Sequence, residues 1–280
     1  MRIAYCGYDF FYTCLKRLLK METVEVIRVF TFDTDNQYNY NKYVTKLAQE
    51  NQIPITTRKI SEQDVRELFL EYHCDCIVTA GYLYRIPVVN DVGFRGVNIH
   101  PTLLPQGRGR WPLPFVILKG LDKNGVTLHK INDQFDEGDI LLQRSFPVNE
   151  REDLETLSCR CQMMAEQLVE TVFSDFERYW KNAVPQTGGE YWDYPTLEEM
   201  SFDFSMSVKE IDRVIRAYGK FDSCVRFAGK DWLVWDANCW HENHNYQPGT
   251  IVHTTNKEYL IAAKDGFVCL RFYEEDKSNG

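Results

Sequence analysis

The stretch RIAYCGYDFFYTCLKRLLKMETVEVIRVFTF, residues 2–32, decides the fold class of this chain. Residues 2–6 form a short apolar run that ends at Gly7, and residues 24–32 form a second strand-like run. Between them, Leu15, Leu18 and Leu19 fall on one face of a helix over 11–21. A strand, a glycine turn, a helix and a strand predict a doubly wound, mostly parallel α/β sheet. Of the three spaced glycines of a dinucleotide site only Gly7 is present, so no nicotinamide cofactor is expected.

The same alternation continues along the chain. Hydrophobic periodicity predicts helices over 41–52, 61–72 and 111–119, and strands over 53–57 and 76–80. Ser61 and Asp64 form the capping box that begins the second of these helices. From Asp153 to Trp180, apolar residues recur every three or four positions and predict one long helix that closes the domain. We therefore expect a catalytic domain over 1–184, followed by an ordered linker over 185–202.

The rest of the chain, residues 203–280, is predicted to be a separate small domain. A short helix over 207–217 precedes five strand-like runs, 223–227, 232–235, 250–254, 259–263 and 267–272. Glycine, proline and asparagine in the segments between them supply the turns. This pattern predicts a small β-barrel of the OB-like kind.

Composition limits the classes of function. The net charge of −9, from 41 acidic and 32 basic residues, disfavours a main partner that is nucleic acid or an anionic membrane. An apolar run of about eighteen residues is missing, so no membrane span is expected. A strand begins at once after Met1, leaving no room for a signal peptide. Nine scattered cysteines without zinc-type spacing indicate reduced thiols in a cytoplasmic protein and no metal site.

Two polar segments carry the candidate chemistry. In VNIHPTLLPQGRG, residues 97–109, Asn98 and His100 are two apart and would leave an extended chain on the same side. In QFDEGDILL, residues 134–142, Asp136 lies just past the strand-like run 125–131. An imidazole needs an anionic or carbonyl partner to fix its tautomer, and Asp136 is the candidate. The alternative is that Asn98 and His100 close a turn and that Asp136 is only a turn residue.

Taken together, the HPTLLP run, the FDEGDILLQ run and the spacing of Asn98, His100 and Asp136 resemble the signature of the folate-dependent formyltransferases. The resemblance extends over about residues 2–272. Its last part, with IRAYG, PGTIV and LIAAKDGFVCL, is similar to the C-terminal barrel of methionyl-transfer-RNA formyltransferases and of several amino-sugar formyltransferases. It implies a formyltransferase-type Rossmann-like catalytic domain that moves a formyl group from 10-formyltetrahydrofolate to an amine, with Asn98, His100 and Asp136 as catalytic residues and no metal.

The resemblance also implies a folate site. The run GYLYRIP, residues 81–87, is similar to the loop that lies beside the pterin ring in that family. The folate-binding residues expected here are Ala80, Gly81, Tyr82, Leu83, Ile86, Asp133 and Asp139. The alternative for the run is a helix start packed on the sheet.

Substrate-binding residues are predicted at two places. Tyr8, Asp9 and Phe10 follow the first strand, where the resembled family often has Gly-Thr or Gly-Tyr before an apolar residue. Arg108 and Arg110 precede a helix start, which favours an anionic group. Alternatively, either arginine pairs with a surface carboxylate. Gly107 stands where many relatives have a tyrosine, so an aromatic contact from that position is not expected.

The acceptor is predicted from charge. Residues 203–280 hold ten Lys and Arg against twelve Asp and Glu, a net of −2, which would repel a polyphosphate backbone. A diphosphate can be held by one or two arginines and a helix start. We therefore predict an N-formyltransferase acting on a dTDP- or UDP-linked amino deoxysugar for surface-polysaccharide biosynthesis. Methionyl-tRNA formyltransferase is the alternative, and a non-enzymatic nucleic-acid-binding protein ranks third.

A homodimer is also predicted. The C-terminal domain has more aromatic residues than a small barrel needs for its own core. These are Trp232, Trp235, Trp240 and Tyr246.

Overall fold

The computed structural model describes residues 1–34, 39–221 and 223–276. It divides into two compact units. The first comprises residues 1–109, 123–147 and 158–192, and the second comprises residues 110–122, 148–157 and 193–280. The domain boundaries predicted from the sequence, at residues 184 and 202, stay predictions, because these units each combine several segments of the chain.

A seven-stranded sheet forms the centre of the first unit, in the order β3-β2-β1-β4-β5-β7-β8. The five strands β1 to β5 pair in parallel, whereas β7 and β8 pair antiparallel at one edge. The predicted doubly wound, mostly parallel sheet is therefore confirmed. Its strands are β1 Arg2–Gly7, β2 Glu25–Phe30, β3 Ile55–Thr56, β4 Cys76–Ala80, β5 Gly96–His100, β7 Lys123–Lys130 and β8 Ile140–Pro147. A separate two-stranded sheet pairs β6 Gln106–Arg108 with β9 Glu190–Tyr191.

Helices of the first unit follow the predicted periodicity, at α1 Tyr12–Leu18, α2 Lys42–Glu50 and α3 Glu62–Leu70. The capping box is present, with the Ser61 hydroxyl accepting from the Asp64 N–H and the Asp64 carboxylate accepting from the Ser61 N–H. The single long helix predicted over 153–180 is wrong. Two helices occupy it, α5 Leu154–Phe173 and α6 Phe176–Lys181, because the Ser174 hydroxyl donates to the Glu170 carbonyl and Asp175 leaves the helical conformation.

The second unit contains α4 Leu113–Leu118, α7 Val208–Tyr218 and a five-stranded antiparallel sheet in the order β10-β11-β14-β13-β12, a small barrel-like domain. All five predicted strands are present, at β10 Ser223–Phe227, β11 Lys230–His241, β12 Ile251–Thr254, β13 Tyr259–Ala262 and β14 Gly266–Glu275. β11 is far longer than predicted, because Asp236 and Asn238 interrupt its apolar pattern while their backbones still pair with β14. Across the described ranges, we find no helix both long and apolar enough to cross a membrane.

Candidate active site

Strand β5 carries Asn98 and His100 at the carboxyl edge of the parallel sheet. Asn98 lies in register with Thr79 on β4 and with His129 on β7, and His100 with Thr127 on β7. Residues two apart on a strand share a face, so both side chains leave the same side, as the spacing predicted. His100 is almost completely buried.

Asp136 lies in the loop after β7 and meets both residues. Its Oδ1 atom accepts a hydrogen bond from Asn98 Nδ2 at 3.1 Å and lies 3.6 Å from His100 Nδ1. Its Oδ2 atom accepts from the Gly109 N–H at 2.9 Å. The structure therefore brings together the three predicted catalytic residues, although 38 residues separate Asn98 from Asp136.

His129 is a fourth member of this group that the sequence analysis missed. Its Nε2 atom lies 3.0 Å from Asn98 Nδ2 and 3.4 Å from Asp136 Oδ1. Its Nδ1 atom lies 2.8 Å from the Lys130 carbonyl, which can only accept, so Nδ1 carries the hydrogen and neutral Nε2 can accept from Asn98. In the sequence, the sign of His129 is an imidazole inside the apolar run 125–131, and this pattern alone does not place it opposite Asn98.

The orientation of the Asn98 amide is determined by the hydrogen bond that its oxygen accepts. The Thr79 hydroxyl donates to Asn98 Oδ1 at 2.6 Å, so the amide NH₂ faces Asp136 and His129. Both amide hydrogens are therefore engaged within the protein. If Asn98 donates to a substrate oxygen, one of these two contacts has to be exchanged for it.

Burial and charge set the protonation states. Burial lowers the pKa of His100, and the Asp136 carboxylate and the Gly107 carbonyl offset only part of this effect. Burial alone would raise the pKa of Asp136, but His100, His129 and the Gly109 N–H together hold it well below its usual range. At neutral pH the site therefore contains an ionised Asp136 beside a neutral His100.

The tautomer of His100 follows from its second contact. Its Nε2 atom lies 2.7 Å from the Gly107 carbonyl, which requires a hydrogen on Nε2. The basic atom of neutral His100 is therefore Nδ1, the atom that faces Asp136.

The residues predicted to bind folate lie at the end of β4 and after it, and in the loop after β7. The alternative of a helix start over 81–87 is wrong, because this segment has no helical turn and Gly81 has a left-handed φ of +72°. Ile86 is buried, the Tyr82 hydroxyl accepts from the Ile60 N–H at 3.1 Å, and Leu83 is 55% exposed. Ala80, at the end of β4, is buried.

The two acidic residues of the predicted folate site have basic partners. Asp133 Oδ1 lies 4.0 Å from Arg85 Nη2 at the surface, and Asp139 Oδ2 lies 3.1 Å from Lys130 Nζ. Within the part of the chain that the structure describes, neither carboxylate forms a hydrogen bond or an ion pair with Asn98, His100 or Asp136. Their folate-binding role stays a prediction.

Residues predicted to bind substrate after β1 are partly committed to the fold. The Asp9 carboxylate accepts from the N–H groups of Tyr43 and Val44, at the start of α2, at 2.9 to 3.0 Å. The rings of Tyr8 and Phe10 are stacked, with centroids 6.2 Å apart. Asp9 thus has a structural task that the sequence analysis did not foresee.

Arg108 and Arg110, predicted either to bind an anionic substrate group or to pair with a carboxylate, have different surroundings. Arg108 is buried, its Nη1 lies 3.3 Å from Glu137 Oε1, and its Nε and Nη2 atoms donate to Gln186 Oε1 at 3.2 and 2.9 Å. The alternative considered for it, a carboxylate partner, is the one observed. Arg110 belongs to the second unit and is exposed.

No group of three or more His, Cys, Asp or Glu residues that could hold a metal ion occurs within residues 1–34, 39–221 and 223–276. What the site contains is an amide, two imidazoles and a carboxylate. Such a set can hold a developing negative charge and move a proton.

Several known proteins are similar to this chain in sequence or in fold. A methionyl-tRNA formyltransferase from Ehrlichia canis is 30% identical over 280 residues, which cover 95% of this chain and 89% of that protein. An N-formyltransferase from Helicobacter canadensis, solved with folinic acid and dTDP-3-aminofucose, has a TM-score of 0.71 and 18% identity over 97% of this chain and 99% of its own. HypX from Aquifex aeolicus, solved with tetrahydrofolic acid, has a TM-score of 0.67 and 21% identity over 99% of this chain and 44% of its own. At these identities the two solved structures show a common fold.

Family models match both parts of the sequence. The model of the formyl transferase family matches residues 2–173, and that of the formyl transferase C-terminal domain matches residues 196–279. The first match contains Asn98, His100 and Asp136 and covers more than half of the chain. The chain therefore belongs to the formyl transferase family.

Proposed function

We propose that this enzyme transfers the formyl group of 10-formyltetrahydrofolate to the amine of a nucleotide-linked amino deoxysugar, as a cytoplasmic homodimer that supplies surface-polysaccharide biosynthesis. The observation that carries formyl transfer is the convergence of Asn98, His100 and Asp136 on one side of β5. The choice of acceptor rests on charge.

The surroundings of the site fit a folate donor. Leu83 and Phe135, which follow β4 and β7, are 55% and 47% exposed, and the Arg85 guanidinium lies 5.8 Å from the Phe135 ring. A flat bicyclic ring needs such apolar walls together with nearby backbone polar groups. We assign the donor to the segment 80–86, with Asp133 and Asp139 at its border.

Three residues have separate roles in the transfer reaction. The amine nitrogen attacks the formyl carbon, the bond from that carbon to the donor nitrogen breaks, and the attacking nitrogen loses a proton while the donor nitrogen gains one. Asn98 donates to the oxygen that becomes negative, a contribution of roughly 3 to 4 kcal/mol in comparable sites. His100 takes the proton on Nδ1, where the adjacent Asp136 stabilises the imidazolium and relays the proton through water.

The choice of a small acceptor rests on the charge of two parts of the sequence. The C-terminal residues 203–280 have a net charge of −2, and the sequence segment 31–41 contains two aspartates and no lysine or arginine. Several C-terminal cations are also neutralised by carboxylates within their own domain: Arg216 by Asp212, Arg226 by Asp231, Lys230 by Glu275 and Arg271 by Asp236. These features favour a small diphosphate-linked substrate over a nucleic acid.

Methionyl-tRNA is the second candidate acceptor, because the relative from Ehrlichia canis carries that name and matches 95% of this chain. Purified protein should be assayed with 10-formyltetrahydrofolate against a panel of nucleotide-linked 3-amino and 4-amino sugars, and against methionyl-tRNA. We expect formyl transfer to at least one amino sugar with kcat/KM at least about a hundredfold above that for methionyl-tRNA. The reverse ratio would make methionyl-tRNA the acceptor. Transfer to neither, with an active positive-control enzyme, would overturn both.

A further inference from the structure

The segment 186–192, which the sequence analysis assigned to a linker, binds the loop that carries Asp136. We call this segment the strap. Gln186 Nε2 donates to the carbonyls of Asp136 and Gly138, each at 2.8 Å. The Tyr191 hydroxyl lies 3.0 Å from the Phe135 carbonyl and 2.5 Å from Glu137 Oε1. Two strap side chains therefore hold three of the four backbone carbonyls of residues 135–138.

The strap also holds the second loop that contacts Asp136. Gln186 Oε1 accepts from Arg108, and the Trp192 N–H donates to the Arg108 carbonyl at 2.8 Å. The next residue after Arg108 is Gly109, whose N–H donates to Asp136 Oδ2. Gln186 thus binds the loop that carries Asp136 through its amide nitrogen and binds Arg108 through its amide oxygen.

Asp136 needs such support because its backbone is strained. Its φ is +54°, in the left-handed region that a residue other than glycine seldom adopts. Such a conformation is unfavourable for a residue with a side chain and persists only where the surrounding structure enforces it. Gln186 binds the carbonyl of this residue itself.

We propose that Gln186 is a positioning residue that holds Asp136 against His100 and Asn98, with Tyr191 as its support. The proposal rests on the proposed function only in that Asp136 is taken as the carboxylate that acts on His100. It assigns to the strap a role in turnover that operates through Asp136 and not through contact with substrate.

Gln186→Glu is the sharpest test, because it keeps the acceptor for Arg108 and removes both N–H donors. We expect kcat to fall at least tenfold while KM for donor and acceptor changes less than threefold. In an Asp136→Asn background, the same substitution should lower kcat less than twofold further, since its effect passes through Asp136. Thr187→Ala, at an exposed neighbour in the strap, is the matched control and should leave kcat within twofold. Full tenfold losses in both backgrounds would overturn the proposal.

A second readout does not depend on activity. Hydrogen exchange of the Gly109 amide, followed by NMR, should accelerate at least tenfold in Gln186→Glu and stay unchanged in Thr187→Ala, because displacement of Asp136 releases that amide. Amides of α5 serve as the reference for global stability. Unchanged Gly109 exchange would overturn the proposal even if no acceptor were found, whereas failure of the wild-type assay alone would count only against the proposed function. If Gln186→Glu does not fold, Tyr191→Phe removes a single hydroxyl and is judged by the same double-variant and exchange criteria.

Discussion

Replacing Asp136 by asparagine tests the site most directly, because it removes a charge and leaves the size of the side chain almost unchanged. Asp136 Oδ1 lies 3.6 Å from His100 Nδ1. At an effective dielectric constant of about 20, unit charges at that distance attract by about 4 to 5 kcal/mol. A full loss in the transition state would slow turnover roughly a thousandfold or more. The amide oxygen keeps part of the contacts with Asn98 or Gly109, so we expect a loss of about a hundredfold to a thousandfold.

Steady-state formyl transfer measures this loss. KM for both substrates should change less than about threefold, because Asp136 is buried and its task is to stabilise the transition state. Asp175→Asn is a suitable control, since Asp175 is half exposed and pairs with Arg178 at the surface; turnover should stay within about twofold of the wild type. If Asp136→Asn folds and retains more than a tenth of wild-type turnover, the assignment of Asp136 is wrong.

Four further outcomes are expected. His100→Ala and Asn98→Ala should each lower turnover at least about a hundredfold, and a His100→Ala variant with more than a tenth of normal turnover would refute the site. In a pH–rate series, the apparent pKa of the acidic limb should lie below 6.5, because burial lowers the pKa of His100 and this residue must be neutral to act as the base. Asp136→Asn should lower the apparent pKa further, because the Asp136 carboxylate raises the pKa of His100. Filter binding of transfer RNA at physiological salt should give a Kd weaker than about 10 micromolar, and a sub-micromolar value would reverse the choice of acceptor. Gly107→Ala should reduce the free energy of unfolding in urea by at least about 1 kcal/mol more than Gly188→Ala does. Both glycines have a positive φ, but of the two only a Cβ at position 107 would lie 2.6 Å from a tryptophan ring. Equal losses would contradict this packing.

Local patterns predicted those parts of the molecule that depend on nearby residues. The first strand, helix and strand follow from apolar runs and a three-to-four-residue period, and the capping box at Ser61 follows from one residue pair. Asn98 and His100 share a face because a strand has a period of two. The contact of Asp136 with both needed the resemblance to a family, because no local pattern reports a distance across 38 residues.

Contacts between distant segments were the part that sequence could not supply. Gln186 is 50 residues from Asp136, and the glycines and aromatic residues after it are typical of a linker. His129 was missed because a histidine in an apolar run is most often a core residue, and only the strand register places it opposite Asn98. The ion pair of Arg108 with Glu137 could not be assigned from the sequence, because Glu137 lies in a loop that follows a different strand.

Gly107 illustrates why a departure from a family pattern has to be interpreted together with the rest of the chain. Taken alone, the glycine predicted that position 107 makes no aromatic contact. In the structure, Gly107 has a φ of +71°, and a Cβ there would lie 2.6 Å from the ring of Trp192. An aromatic ring is therefore present beside position 107, but the strap contributes it. The glycine is required because the tryptophan occupies the space, and since 85 positions separate the two residues, only the folded chain reveals that they depend on each other.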